Sequence, residues 1–332
     1  MVSPPSEPPL ADRPRIIVDC DPGHDDAVAL VVAAHVADVR GITTVGGNVD
    51  LDRTTHNALV MRDLIGIDSP VHRGAGHPIV AKPRHAAAIH GESGLDGADL
   101  PAPITPLDGT DAVGFIVDQC RNEEGLWLVP TGPLTNIALA LRTAPDIADR
   151  IAGISLMGGG TFGNRSAAAE FNIWADPHAA AIVFDTFDPA TPGTPAGRLI
   201  MAGLDVTHRF QVTPERIEAT REIPGLLAAT LTGLFDFFAD NYLSRHSDGT
   251  MRGAALHDPL AVLAVTHPDL FERRERHVVV ETSGEHTTGM TVIDERSLLE
   301  RSAPNCEVLV DVDADAAFEV VLDAIRAGRP RS

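Results

Sequence analysis

Four carboxylates fall within the eight residues Asp19-Cys20-Asp21-Pro22-Gly23-His24-Asp25-Asp26, directly after the apolar run Ile16-Ile17-Val18. At the end of a core strand, two such charges ~4 Å apart repel by a few kcal/mol, so the group needs protons or a cation. Helix capping explains part of the pattern: acidic residues favour the first turn of a helix, and Pro22-Gly23 supplies a bend before it. Capping does not explain Asp19 and Asp21 as well. Carboxylate oxygens suit a hard cation, Ca²⁺ or Mg²⁺.

The composition sets limits on the partners. With 47 acidic against 26 basic residues the net charge is −21, which argues against nucleic acid or an anionic membrane surface. The cysteines Cys20, Cys120 and Cys306 are odd in number and form no CxxC pair, so a reducing compartment is expected. No basic stretch leads into an apolar one as in a signal peptide, and no apolar run reaches the ~18 residues of a membrane span. A cytoplasmic protein is the expectation. Residues 1–14 carry five prolines and read as a loose tail, leaving one domain over 15–330.

The elements that must position the carboxylates follow from periodicity. Short β-branched runs at Arg15–Val18, Arg40–Val45, Leu126–Val129, Gly153–Met157 and Arg198–Met201 read as buried strands. Amphipathic stretches at Asp26–Ala37, Arg53–Leu64, Asp111–Arg121, Leu134–Leu141 and Pro177–Phe184 read as helices. Such alternation predicts an α/β fold with an open, mostly parallel sheet flanked by helices. Ligands in such sheets sit at the carboxyl ends of strands. There lie Asp19–Asp26, Gly46-Gly47-Asn48, Thr131–Asn136 and Gly158–Asn172. Helical patterns dominate from Pro214 to Tyr242. Strands return near His277–Glu281, Gly289–Ile293 and Glu307–Val312, before a last helix at Ala314–Ala327.

The eight-residue acidic pattern resembles the signature of the inosine-uridine preferring nucleoside hydrolases. The likeness continues at Gly46-Gly47-Asn48, His90-Gly91-Glu92-Ser93-Gly94-Leu95-Asp96-Gly97 and Thr131-Gly132-Pro133-Leu134-Thr135-Asn136. It extends through Met157-Gly158-Gly159-Gly160, Glu170-Phe171-Asn172 and His257-Asp258-Pro259. The resemblance implies an open α/β sheet and hydrolysis of the N-glycosidic bond of ribonucleosides, purine or pyrimidine, with one bound Ca²⁺. It also implies a homodimer or homotetramer.

Residue by residue, the resemblance implies Ca²⁺ ligands at Asp21, Asp26, Asp258 and the Thr131 carbonyl, with Asp25 as general base and Asp19 beside the site. It implies ribose contacts from Asn48, Asn164, Glu170 and Asn172, with Met157 packing on the sugar. His257 would protonate the leaving base, and His90 would lie near that base. Glu170 and Asn172, two apart, would share a side of an extended segment. The segment from Ala81 to Leu95 would close over the ligand. Phe235, Phe237, Phe238, Trp174 and Tyr242 are candidates to stack on the base, and the remaining histidines read as surface residues.

Three points stay open on residue types alone. Asp258-Pro259 and Asp176-Pro177 both have the form of an N-cap followed by proline at the first helical position. A phosphohydrolase of the haloacid dehalogenase type would use Asp19 or Asp21 as nucleophile, but needs a lysine, and Lys82 is the only one. A non-catalytic nucleoside or ribose binder would be expected to lack Asp25.

Overall fold

The computed structural model describes residues 10–245, 251–297 and 300–328. Residues 1–9 of the expected tail lie outside it; Leu10–Asp12 form one 3-10 turn, and the Arg13 guanidinium donates to the His35 carbonyl.

The strands are β1 Arg15–Cys20, β2 Asp38–Thr44, β3 Val71–Arg73, β4 Trp127–Pro130, β5 Gly153–Met157 and β6 Arg198–Ala202. They continue as β7 Gln211–Val212, β8 Ala254–Ala255, β9 Phe271–Arg276, β10 Val278–Val280, β11 Thr291–Ile293 and β12 Cys306–Val312. The first six helices are α1 His24–Val36, α2 Leu51–Ile65, α3 Ala87–His90, α4 Ala112–Asn122, α5 Thr135–Thr143 and α6 Phe171–Ala175. The others are α7 Pro177–Thr186, α8 Leu204–Thr207, α9 Pro214–Arg221, α10 Leu226–Leu243, α11 Pro259–Thr266 and α12 Ala314–Ala327.

Eight strands form the main sheet in the order β3-β2-β1-β4-β5-β6-β12-β9, parallel throughout except for β9 against β12. The fold class expected from the alternation is therefore the one observed. Four strands are not expected from the sequence: the two-residue β7 and β8, which pair with each other, and β3 and β9 of the main sheet. β3 is three residues long, and β9 reads Phe-Glu-Arg-Arg-Glu-Arg at the sheet edge, where solvent takes the place of an apolar neighbour.

Helix α1 is the buried centre. Its residues His24 to Ala33 are all buried, and it packs against α2, α10, α11 and α12. Helix α11, Pro-Leu-Ala-Val-Leu-Ala-Val-Thr, is apolar all round and buried over Pro259–Ala264, as a helix enclosed on every side must be. Packing α1 on α11 sets the two helix N-termini beside each other at the carboxyl end of the sheet. Residues Asp188–Gly197 form turns and bends between α7 and β6.

Candidate active site

Strand β1 delivers the first carboxylates. Asp19 pairs in register with Thr43 of β2 and Pro130 of β4, so Asp21 emerges between the loops that follow those strands. Its Oδ2 accepts the Asn48 backbone N–H at 2.6 Å, while Oδ1 is buried without a hydrogen-bond partner. Gly47 and Gly132 pass so close that a Cβ on either would clash with the Asp21 carboxylate. Glycine at these two positions is thus a condition for the backbone to approach Asp21.

Asp25 and Asp26 occupy the first turn of α1, and Asp258 precedes α11. These three buried carboxylates are brought together, with oxygens all within 4.8 Å of one another, as a metal-binding group would require. Asp21 stands beside that trio but not within it. Asp26 Oδ1 accepts the Thr131 hydroxyl at 2.8 Å, and Oδ2 accepts the Gly23 N–H at 3.0 Å. No Arg or Lys acts on any of these carboxyls among the described residues. Burial, and then repulsion from neighbouring carboxylates, push Asp25 up to about 8 and Asp21 and Asp258 well above the usual carboxylate range, while burial raises Asp26 against the hydrogen bonds it accepts. An all-oxygen donor set, one orphaned buried oxygen and no compensating cation fit a hard divalent ion.

Asp19 is set deeper. One oxygen accepts the Thr43 hydroxyl at 2.6 Å and the Asn136 amide at 2.8 Å, and the other has no partner. Burial pushes its carboxyl up to about 7.

The cluster floors a cavity of about 520 Å³, in the usual range for a small-molecule site. Asn48, His90, Thr131, Met157, Asn164, Glu170, Asn172 and His257 all line it with Asp25 and Asp258. Asn172 Nδ2 donates to the Thr131 carbonyl at 2.7 Å and the Met157 carbonyl at 3.2 Å. Asn48 Nδ2 donates to the Asp21 carbonyl at 3.1 Å. His257 Nδ1 lies 2.8 Å from the Thr207 hydroxyl, with the Tyr242 and His208 rings around it.

The structure corrects three expectations. Glu170 is not in an extended segment: it is the N-cap of α6, and its carboxylate accepts the N–H groups of Gly159, Asn172 and Ile173. A side chain so occupied shapes the wall and positions Asn172, although burial still pushes its carboxyl up to about 6. Among the aromatic candidates, Phe238 and Tyr242 line the cavity, Phe235 is core, Phe237 stacks on His24, and Trp174 faces arginines. His24, read as a surface residue, is fully buried. Its Nε2 lies 2.8 Å from the Asp96 carbonyl and its backbone N–H donates to His90 Nδ1 at 3.3 Å. A histidine at the start of a helix buried on all faces could have been read as buried. His208, also missed, lines the cavity.

The family model described as inosine-uridine preferring nucleoside hydrolase matches residues 16–319. The chain is 41% identical over 318 residues to the pyrimidine-specific ribonucleoside hydrolase RihA of Escherichia coli (strain SMS-3-5 / SECEC), covering 94% of this chain and 98% of that one. A purine-preferring ribonucleoside hydrolase from Gardnerella vaginalis superposes with a TM-score of 0.85 at 32% identity, over 94% of this chain and 98% of that one. The plant nucleoside hydrolase PpNRh1 enzyme does so at 0.83 and 27%, over 95% and 99%. With its motifs, sheet order and buried carboxylates in agreement, the chain belongs to the inosine-uridine preferring nucleoside hydrolase family, the hydrolases of the N-glycosidic bond of ribonucleosides.

Proposed function

We propose that the chain hydrolyses ribonucleosides with Ca²⁺ held by Asp21, Asp26, Asp258 and the Thr131 carbonyl. The observation that carries this is the buried carboxylate floor, on which no Arg or Lys acts among the described residues. When bound, the ion supplies the charge that lets these carboxylates stay ionised together and polarises the oxygens placed against it.

The chain's own groups divide the rest of the work. Asp25 takes the proton of the attacking water; a buried carboxyl with a raised proton affinity suits a general base. His257, steadied through Nδ1 by Thr207, gives a proton to the departing base nitrogen. Asn48, Asn164 and Asn172 bind ribose hydroxyls, Glu170 holds Asn172 in place, and Met157 packs on the sugar. His90, Phe238 and Tyr242 form the wall for the base, and Ala86 and Ile89 bring the Ala81–Leu95 segment over the opening.

A relative at 41% identity is named pyrimidine-specific, which supports uridine and cytidine as first substrates; the purine-preferring structure at 32% keeps inosine among them. Assembly as a homodimer or homotetramer, checked by light scattering, and a cytoplasmic setting, in keeping with three free buried thiols, complete the reading. The decisive experiment mixes uridine, cytidine and inosine with the Ca²⁺-loaded protein and measures reducing sugar. Sugar release abolished by a chelator and restored by Ca²⁺ is the expected result; no release from any common nucleoside overturns the reading.

A further inference from the structure

The ribose contacts assigned above hang on one strap of chain. Residues 158–170 leave the end of β5, carry Asn164 along the cavity wall and return at Glu170, the cap of α6. The strap opens with Gly158-Gly159-Gly160, which have no side chains to anchor it, and residues 161–168 of its tip are exposed or half-buried. Its position must therefore be set by other elements.

Two elements do this. From one side α8 gives the Leu204 N–H to the Gly159 carbonyl at 2.8 Å, and the Asp205 carboxylate accepts the Thr161 N–H at 2.8 Å. From the other side comes the β10–β11 hairpin, remote in sequence. The Thr291 hydroxyl accepts the Gly160 N–H at 2.9 Å and donates to the Gly160 carbonyl at 2.8 Å, so one side chain holds both polar groups of one residue. A Cβ on Gly159 would stand 2.8 Å from the Thr291 methyl carbon. At the far end of the strap, Gly289 (φ +86°) comes so near that a Cβ on it would stand 2.7 Å from Trp174 Cα and 3.2 Å from Ala169 Cβ. The hairpin thus grips the strap at both ends and leaves its tip to the cavity.

Thr291 is buried, whereas Val279 and Val292, paired across the same hairpin, are exposed. A buried hydroxyl costs free energy unless it is bonded, and here both its bonds go to the strap. From there the hold passes inward. The Gly159 N–H donates to Glu170 Oε2 at 3.0 Å, Glu170 Oε1 accepts the Asn172 N–H at 2.9 Å, and Asn172 lines the cavity.

We propose that Thr291 is a positioning residue of the nucleoside site: from the hairpin it fixes the strap that presents Asn164 and Asn172 to the ribose. It does not line the cavity itself and acts through Gly160. The inference rests on the ribose contacts of the reading above.

The test replaces Thr291 by Val, which keeps the shape and leaves a buried N–H and carbonyl unpaired, and by Ser, which keeps the hydroxyl. In Thr291→Val at saturating Ca²⁺ we expect KM to rise about tenfold with kcat within about threefold. The rise is the same for uridine and for a p-nitrophenyl riboside, because the sugar is common to both, and ribose binding by calorimetry weakens about tenfold. Trypsin cleavage after the exposed Arg165, followed by mass spectrometry, becomes about tenfold faster as the strap opens locally. Thr291→Ser returns each value to within about threefold of wild type. Ile116→Val, in the buried face of α4, lowers Tm by a few degrees and moves neither KM nor cleavage after Arg165. Where Thr291→Val does not fold, Thr291→Ala is read against the same limits. Wild-type KM or wild-type cleavage after Arg165 in Thr291→Val overturns the role. So does a loss confined to one substrate, a Ser variant as impaired as the Val variant, or an equal KM rise in Ile116→Val. A protein inert on every nucleoside sinks the assigned reaction instead, and the tryptic rates still judge the strap.

Discussion

Asp176-Pro177 and Asp258-Pro259 open two helices with the same pair of residues, and the structure uses them in opposite ways. Asp176 spends its carboxylate on the chain: Oδ1 accepts the Ala179 N–H at 3.0 Å, and Oδ2 accepts the Thr135 hydroxyl and the Ile79 N–H, each at 2.8 Å. Asp258 makes no capping bond and turns instead towards Asp25 and Asp26. Both are buried. The difference lies in the neighbours. Asp176 meets donors only, so its charge is solvated by the fold, whereas Asp258 meets carboxylates, so its charge calls for a partner from outside.

The sharpest tests widen or close that gap. Asp25→Asn keeps the floor's shape but removes the proton acceptor, so kcat falls by about 10³-fold or more with ion binding retained; a near-normal rate places the base elsewhere. Asp258→Ala lowers kcat/KM for uridine by about 10³-fold and weakens Ca²⁺ binding measured by calorimetry. In a chelator the order inverts: Asp258→Asn melts several degrees above the wild type, because one charge of a repelling set is gone. An Asp258→Asn protein that melts lower than wild type in chelator would make Asp258 a structural cap after all.

Smaller effects follow. His257→Ala costs about 10²-fold with inosine and much less with a p-nitrophenyl riboside, whose leaving group needs no proton. Equal losses on both argue against the acid role. Asp176→Ala leaves uridine kcat within about threefold but lowers unfolding free energy by about 2–4 kcal/mol, through the lost cap and two buried donors left unpaired. A large loss of turnover at unchanged stability would erase the contrast between the two aspartates.

What was legible in the sequence follows the same division. Continuous apolar runs such as Ile16–Val18 and the all-apolar helix α11 carry their burial in their residue types, so the strands of the sheet's centre could be placed. The carboxylates Asp19 to Asp26 pointed, by repulsion, to protons or a cation. Asp258 could not be told from Asp176, because a cap and a ligand have one local spelling and differ only in what tertiary packing brings up. The same holds for Glu170, whose spacing from Asn172 suggested an extended pair while the fold made it a cap. β9 hides because edge position frees a strand from the apolar pattern, whereas the burial of His24 was signalled by the apolar helix it opens and only its partners, Asp96 and His90, are remote in sequence.

The packing of α1 on α11 has a consequence for how the molecule comes into being. A chain still on the ribosome that has emerged only through β6 already carries Asp21, Asp25, Asp26 and Thr131, yet lacks Asp258 and the apolar helix that closes over α1. Its carboxylates then face water, where a few loose oxygens hold a divalent ion poorly. On the ligand set proposed above, the full group of oxygens is therefore assembled only once Asp258 and α11 have followed β6 out of the ribosome.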